Sequence, residues 1–154
     1  MYRIFLTLLL QFVVSINSQA STEVEVFEPI DKLFAAISNV KHQDMRATVT
    51  ESFVLLEDGE VWTIEDLISV VSPSEYARTN FFSIINIETM NDIALVNYWN
   101  KANFDNKKSS EDVIWLESAV IKKVNGMWLI LQMHSTRLEP NAVSENVVFT
   151  QQKI

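Results

Sequence analysis

The chain has 154 residues, 48% of them hydrophobic, which suits one domain around one core. Its 12 Lys and Arg stand against 20 Asp and Glu, a formal charge of −8. That balance argues against nucleic acid or an anionic membrane as partner, since both rely on basic residues to neutralise phosphates, and the lack of cysteine excludes disulfides and thiolate metal sites.

Residues 1–20 read as a cleavable export signal. Arg3 supplies the positive charge, Ile4 to Val14 is apolar except for Thr7 and Gln11, and Ser18 and Ala20 are small residues placed for cleavage after Ala20. The apolar run is about half of the roughly 20 residues a bilayer-spanning helix needs. A secreted or periplasmic protein is therefore expected, with no membrane attachment after cleavage. Residues 21–27 read as a flexible lead-in, 28–138 as the folded domain and 139–154 as a C-terminal tail.

From Glu28 the apolar spacing is helical, with Ile30, Leu33, Phe34 and Ile37 on one stripe and Pro29 in a first turn that tolerates it. A second short helix is expected over about residues 43–49, with Met45 and Val49 inward. Phe53 to Leu56 and Val61-Trp62 flank an Asp58-Gly59 turn and predict a short strand pair. Thr63 with Asp66 resembles a capping box and predicts a helix burying Ile64, Leu67, Ile68 and Val71 before Pro73. Four long strands follow, over about residues 76–89, 93–104, 112–124 and 127–138. Asn91-Asp92, the charged loop 105–111 and Asn125-Gly126 join them. Helices first and antiparallel strands after give an α+β layout, with helices on one face of a curved sheet.

Trp115-Leu-Glu-Ser-Ala-Val120, then Asn125-Gly-Met-Trp-Leu-Ile130, then His134-Ser-Thr-Arg137 resembles the closing hairpin of nuclear transport factor 2-like proteins, nearest to their SnoaL-like branch of largely unknown function. The order of elements from about residue 28 to 138 matches as well. The resemblance implies a cone: a curved antiparallel sheet of the nuclear transport factor 2-like or cystatin-like kind, with helices packed on its concave face. It also implies a pocket between sheet and helices, and a homodimer through the outer sheet face. The superfamily holds isomerases, dehydratases and hydrolases beside non-enzymatic transport and oligomerisation modules, so fold alone does not choose a function.

If Asn125-Gly126 is a two-residue loop with no bulge in the turn, Glu117 lies opposite His134, Trp115 opposite Thr136 and Ala119 opposite Gln132. That face combines aromatic surface with polar groups, as a pocket lining does. His134 and Glu117 are then the candidate acid–base pair, with Trp115, Gln132, Thr136 and Tyr98 as candidate pocket residues. Counting back from Asn91-Asp92 sets Tyr98 beside Ile85 and Val96 on an apolar face. The same register puts Leu116, Val120, Leu131 and Met133, with Ser118 and Ser135, on the dimer face. Two histidines without a nearby carboxylate cluster argue against a tight transition-metal site, no phosphate loop is present, and no cofactor is expected. The expected function is binding of a small apolar or mixed-polarity ligand. The alternatives are a cofactor-free lyase, isomerase or hydrolase using His134 and Glu117, and a dimerisation module without catalysis.

Overall fold

The first helix, α1, covers residues 23–38 of a computed structural model that describes residues 23–152, so the expected export signal lies outside the described residues. Val26, Phe27, Ile30, Leu33, Phe34 and Ala36 are buried along one stripe of α1. Residues 23–27, expected as a flexible lead-in, are helical because Val26 and Phe27 extend that stripe one turn further back. Pro29 consequently lies within α1 rather than in its first turn, where it costs the backbone one i to i−4 hydrogen bond.

Helix α2 (His42–Ala47) buries Met45, while Val49, expected on its inner stripe, opens strand β1 (Val49–Glu57) instead. Strand β2 (Glu60–Trp62) pairs with β1 around Asp58-Gly59, whose positive φ values of 50° and 81° are what a tight hairpin turn requires. Helix α3 (Ile64–Val70) starts at the expected capping box: Thr63 Oγ1 accepts from the Asp66 N–H, and Asp66 Oδ2 accepts from the Thr63 N–H. Strands β3 (Ala77–Met90), β4 (Ile93–Asp105), β5 (Ser110–Val124) and β6 (Met127–Leu138) then form a meander, followed by a 3-10 turn at Pro140–Ala142 and a short strand β7 (Thr150–Gln151).

The seven strands lie in the order β2-β1-β6-β5-β4-β3-β7. Every pairing is antiparallel except β1 with β6, which is parallel. That one departure from an all-antiparallel sheet follows from connectivity: parallel neighbours need a long crossover, and here four strands and α3 separate them.

The inner face of the sheet carries Phe82, Ala94, Val96, Tyr98, Ala119, Ile121, Ile130 and Met133, all buried with the α1 stripe in one core. Phe27 meets Phe82 and Tyr98 edge-on with ring centroids 5.4 Å apart, the arrangement that the charge distribution of aromatic rings favours.

Of residues 139–154, expected as a tail, the described part, 139–152, returns to the domain. β7 pairs with β3, and Gln152 is buried with its N–H on Asn80 O at 2.9 Å, its Oε1 accepting from Asn80 Nδ2 at 2.8 Å and its side-chain amide donating to Asp31 O. The segment covers what is otherwise an open edge of β3 and satisfies the buried Asn80 amide. Among the described residues, no helix is long and apolar enough to cross a membrane.

Candidate functional site

A β-bulge decides which side chains face inward near the C-terminal end of the sheet. The Asn125-Gly126 turn holds the pairs Val124–Met127 through Ile121–Ile130 in the expected register. Leu131 is then left without a partner, and from Val120–Gln132 onward each pair is displaced by one residue. Because side chains alternate, an extra residue turns the rest of the strand over. Ser135 and Met133 therefore face the core and pair with Glu117 and Ala119, whereas Gln132, His134 and Thr136 are exposed on the outer face.

Of the residues expected to line a pocket, Trp115, Glu117 and Tyr98 lie on the inner side, and Gln132, Thr136 and His134 do not. His134 pairs with Ser118, not Glu117, so the expected acid–base pair does not form. Tyr98 is fully buried and pairs with Glu117 on β5. On β3 it pairs with Ile84 rather than Ile85, because a second bulge between Ile84 and Asn86 leaves Ile85 unpaired and 52% exposed.

A cavity of about 210 Å3 lies between α1, α3 and this inner face. Leu33, Phe34, Ile37, Leu55, Leu67, Val70, Val71 and Met133 form its apolar wall, and Glu57, Arg78, Asn100, Trp115, Glu117 and Ser135 its polar side. Glu117 is 5% exposed. Its Oε1 accepts from Asn100 Nδ2 and from Ser135 Oγ, each at 3.2 Å, while Oε2 has no partner. Asn100 Oδ1 is also buried without a hydrogen-bond partner, and the buried Tyr98 hydroxyl stands beside the Glu117 carboxyl outside good hydrogen-bond geometry. Burial raises the Glu117 carboxyl above the ordinary carboxylate range, and its polar neighbours and Arg78 offset this only in part. Burial and the adjacent carboxylate push the Tyr98 hydroxyl well above its ordinary value. At the rim, desolvation and repulsion from Asp58 raise Glu57, against the pull of Arg78.

Arg78 is held by its edges and faces. Its Nε donates to Asn80 Oδ1 at 2.8 Å, and its guanidinium carbon lies 5.4, 5.5 and 5.9 Å from the ring centres of Phe34, Phe104 and Trp115. Among the described residues, no carboxylate stands in ion-pair contact with it. Burial lowers its pKa to about 10, with Glu117 and Glu57 acting the other way, so it stays charged at neutral pH.

The sequence reading missed Arg78, Asn80, Asn100 and Glu57. The signal was the two-residue alternation: Arg78 and Asn80 stand in step with Phe82, and Asn100 stands in step with Val96 and Tyr98. Ser135 and Met133 could not have been placed without the bulge at Leu131.

No protein-family model matches the sequence, and no curated protein matches it. Solved structures do. A ketosteroid isomerase-like protein from Erwinia carotovora atroseptica aligns with TM-score 0.60 at 19% identity, over 76% of this chain and 96% of its own. The CaMKII hub homology domain of Chlamydomonas reinhardtii aligns with TM-score 0.67 at 18% identity, over 77% and 99%. A nuclear transport factor 2-like protein from Cytophaga hutchinsonii gives 0.61 at 19% identity, over 73% and 95%. This chain has the nuclear transport factor 2-like fold. The match confirms the α+β architecture with a curved sheet and helices on one face, and at these identities it speaks for the fold alone.

Proposed function

We propose that this protein binds a small molecule in the cavity between α1, α3 and the inner sheet face. The observation that carries this reading is an apolar cavity with polar groups gathered at one end, among them Glu117 Oε2 and Asn100 Oδ1, which are buried without a well-formed hydrogen bond. Native interiors pair such atoms, so a cavity wall that leaves them unpaired suits a polar group brought by a ligand. At about 210 Å3 the cavity is smaller than the roughly 300–1,000 Å3 of drug-sized sites, so the ligand is small and of mixed polarity. With His134 on the far face, binding is proposed ahead of a cofactor-free lyase, isomerase or hydrolase. Titration of small apolar fragments carrying one polar group should perturb Trp115 fluorescence, and Ser135→Leu, which fills the polar end, should abolish the response. A chain that binds no such fragment would defeat the reading.

The outer face supports a second proposal, a homodimer. Leu95 and Leu116 are 38% and 39% exposed there, in register with half-buried Val120 and Trp99. Val54 and Leu56 continue the surface beside Gln132 and His134. Met133, expected in this patch, faces the core instead. A contiguous apolar face of this kind favours a protein partner, and hub domains share the fold. Light scattering should give a dimer at micromolar concentration, converted to monomer by Leu95→Lys with Leu116→Lys; a wild-type monomer removes the proposal. Export with cleavage after Ala20 is proposed on the composition of residues 1–20, and the intact mass of the secreted chain tests it.

A further inference from the structure

We propose that the ligand is a small apolar monocarboxylate whose carboxylate sits on the Arg78 guanidinium. This rests on the cavity being a binding site and adds the chemical class that it takes.

Four observations point the same way. First, Arg78 lines the cavity with its Nε already engaged by Asn80 and its faces flanked by Phe34, Phe104 and Trp115. What remains is the edge bearing the two Nη groups, which matches the planar two-oxygen geometry of a carboxylate. Second, that edge has no ion-pair partner among the described residues, although Arg78 is half-buried. A charge in such surroundings gains most from a partner that excludes water with it. Third, the site holds one cation and two carboxyl groups, Glu57 and Glu117. A phosphate dianion would meet more repulsion than attraction there, whereas a single negative charge is accommodated on the guanidinium once one of the two carboxyls takes up a proton. Fourth, the rest of the wall is aliphatic, with Leu33, Ile37, Leu55 and Leu67 placed to receive a short hydrocarbon body.

Asn80 is the positioning residue. Its Oδ1 accepts from Arg78 Nε while its Nδ2 donates to Phe34 O at 3.2 Å and Ser38 Oγ at 2.8 Å, both on α1, and to Gln152 Oε1. The guanidinium is thereby tied to the helix and to the returning C-terminal segment, which fixes its fork before a ligand arrives.

The test compares matched acids and amides on the full chain. Hexanoate and benzoate, with hexanamide and benzamide as neutral counterparts, are titrated by calorimetry near neutral pH. Each acid is expected to bind at least about tenfold more tightly than its amide. Arg78→Met should remove that preference while amide binding and the circular dichroism spectrum persist. Arg78→Lys, which keeps the charge but loses the fork, should retain only part of it. An amide that binds as well as its acid overturns the carboxylate assignment and leaves the cavity reading standing; so does a preference that survives Arg78→Met. Binding of neither acid nor amide overturns both. The wild-type comparison decides the question even if the Met variant fails to fold.

Discussion

Glu117→Gln is expected to make the protein more stable at neutral pH, by about 1–3 kcal/mol, the usual cost of a buried polar atom left unpaired. In the unfolded chain this carboxyl ionises at an ordinary value near 4.3, and in the folded chain burial raises it. Between the two values the folded state holds more protons than the unfolded one, so stability falls as pH rises through that window and stays low above it. The amide carries no such penalty. It keeps an oxygen for Asn100 Nδ2 and Ser135 Oγ. Thermal melts across pH should show a wild-type slope that the variant lacks, and a melting point raised by about 3–10 °C on the alkaline side. The opposing term is Arg78, whose charge Glu117 helps to balance. A variant less stable than wild type at alkaline pH would mean that the Arg78 balance outweighs the burial penalty. Stability given up at a cavity wall is the usual signature of a group kept for binding rather than packing.

How far the sequence spoke depended on whether a feature was local. The capping box of Thr63 and Asp66, the Asp58-Gly59 and Asn125-Gly126 turns and the α1 stripe are each written within a few residues, and all four form. The expected pocket face failed at a single residue. Nothing in Leu129 to Gln132 marks Leu131 as the bulged position, because a run of apolar residues pairs equally well in either register. Once Leu131 steps out, Ser135 replaces His134 as the neighbour of Glu117, and a supposed acid–base pair becomes a carboxyl held by two neutral donors. Trp115, Glu117 and Tyr98 survived because they lie on β4 and β5, whose pairing is unbroken from Ile93–Lys122 to Asp105–Ser110. The role of Asn80 was out of reach for another reason. Its partners Phe34, Ser38 and Gln152 come from both ends of the chain, and only tertiary structure brings them together.

Carboxylate binding is expected to take up a proton. The charged and titratable side chains that face the cavity are Arg78, Glu57 and Glu117, with Tyr98 behind Glu117. An arriving anion adds negative charge beside two carboxyls that desolvation already raises, and each is pushed further up. Over the pH range between the free and the liganded values, the complex binds more protons than the free protein. By linkage, affinity then rises as pH falls, by at most about tenfold per unit for one proton. Arg78 and Tyr98 titrate too high to contribute below neutrality. His134 stands on the outer face beside Ser118, away from the ligand. Calorimetry of hexanoate binding in buffers of different ionisation enthalpy, between about pH 5.5 and 7.5, counts the protons directly. Hexanamide should show no dependence, His134→Gln should leave the slope of hexanoate intact, and Glu117→Gln should flatten it while tightening binding at the alkaline end. A slope removed by Glu57→Gln instead would assign the proton to Glu57. Hexanoate affinity that is flat across the range would mean that neither carboxyl lies close enough to the bound anion to feel it, and the placement of that anion on Arg78 between them would be wrong.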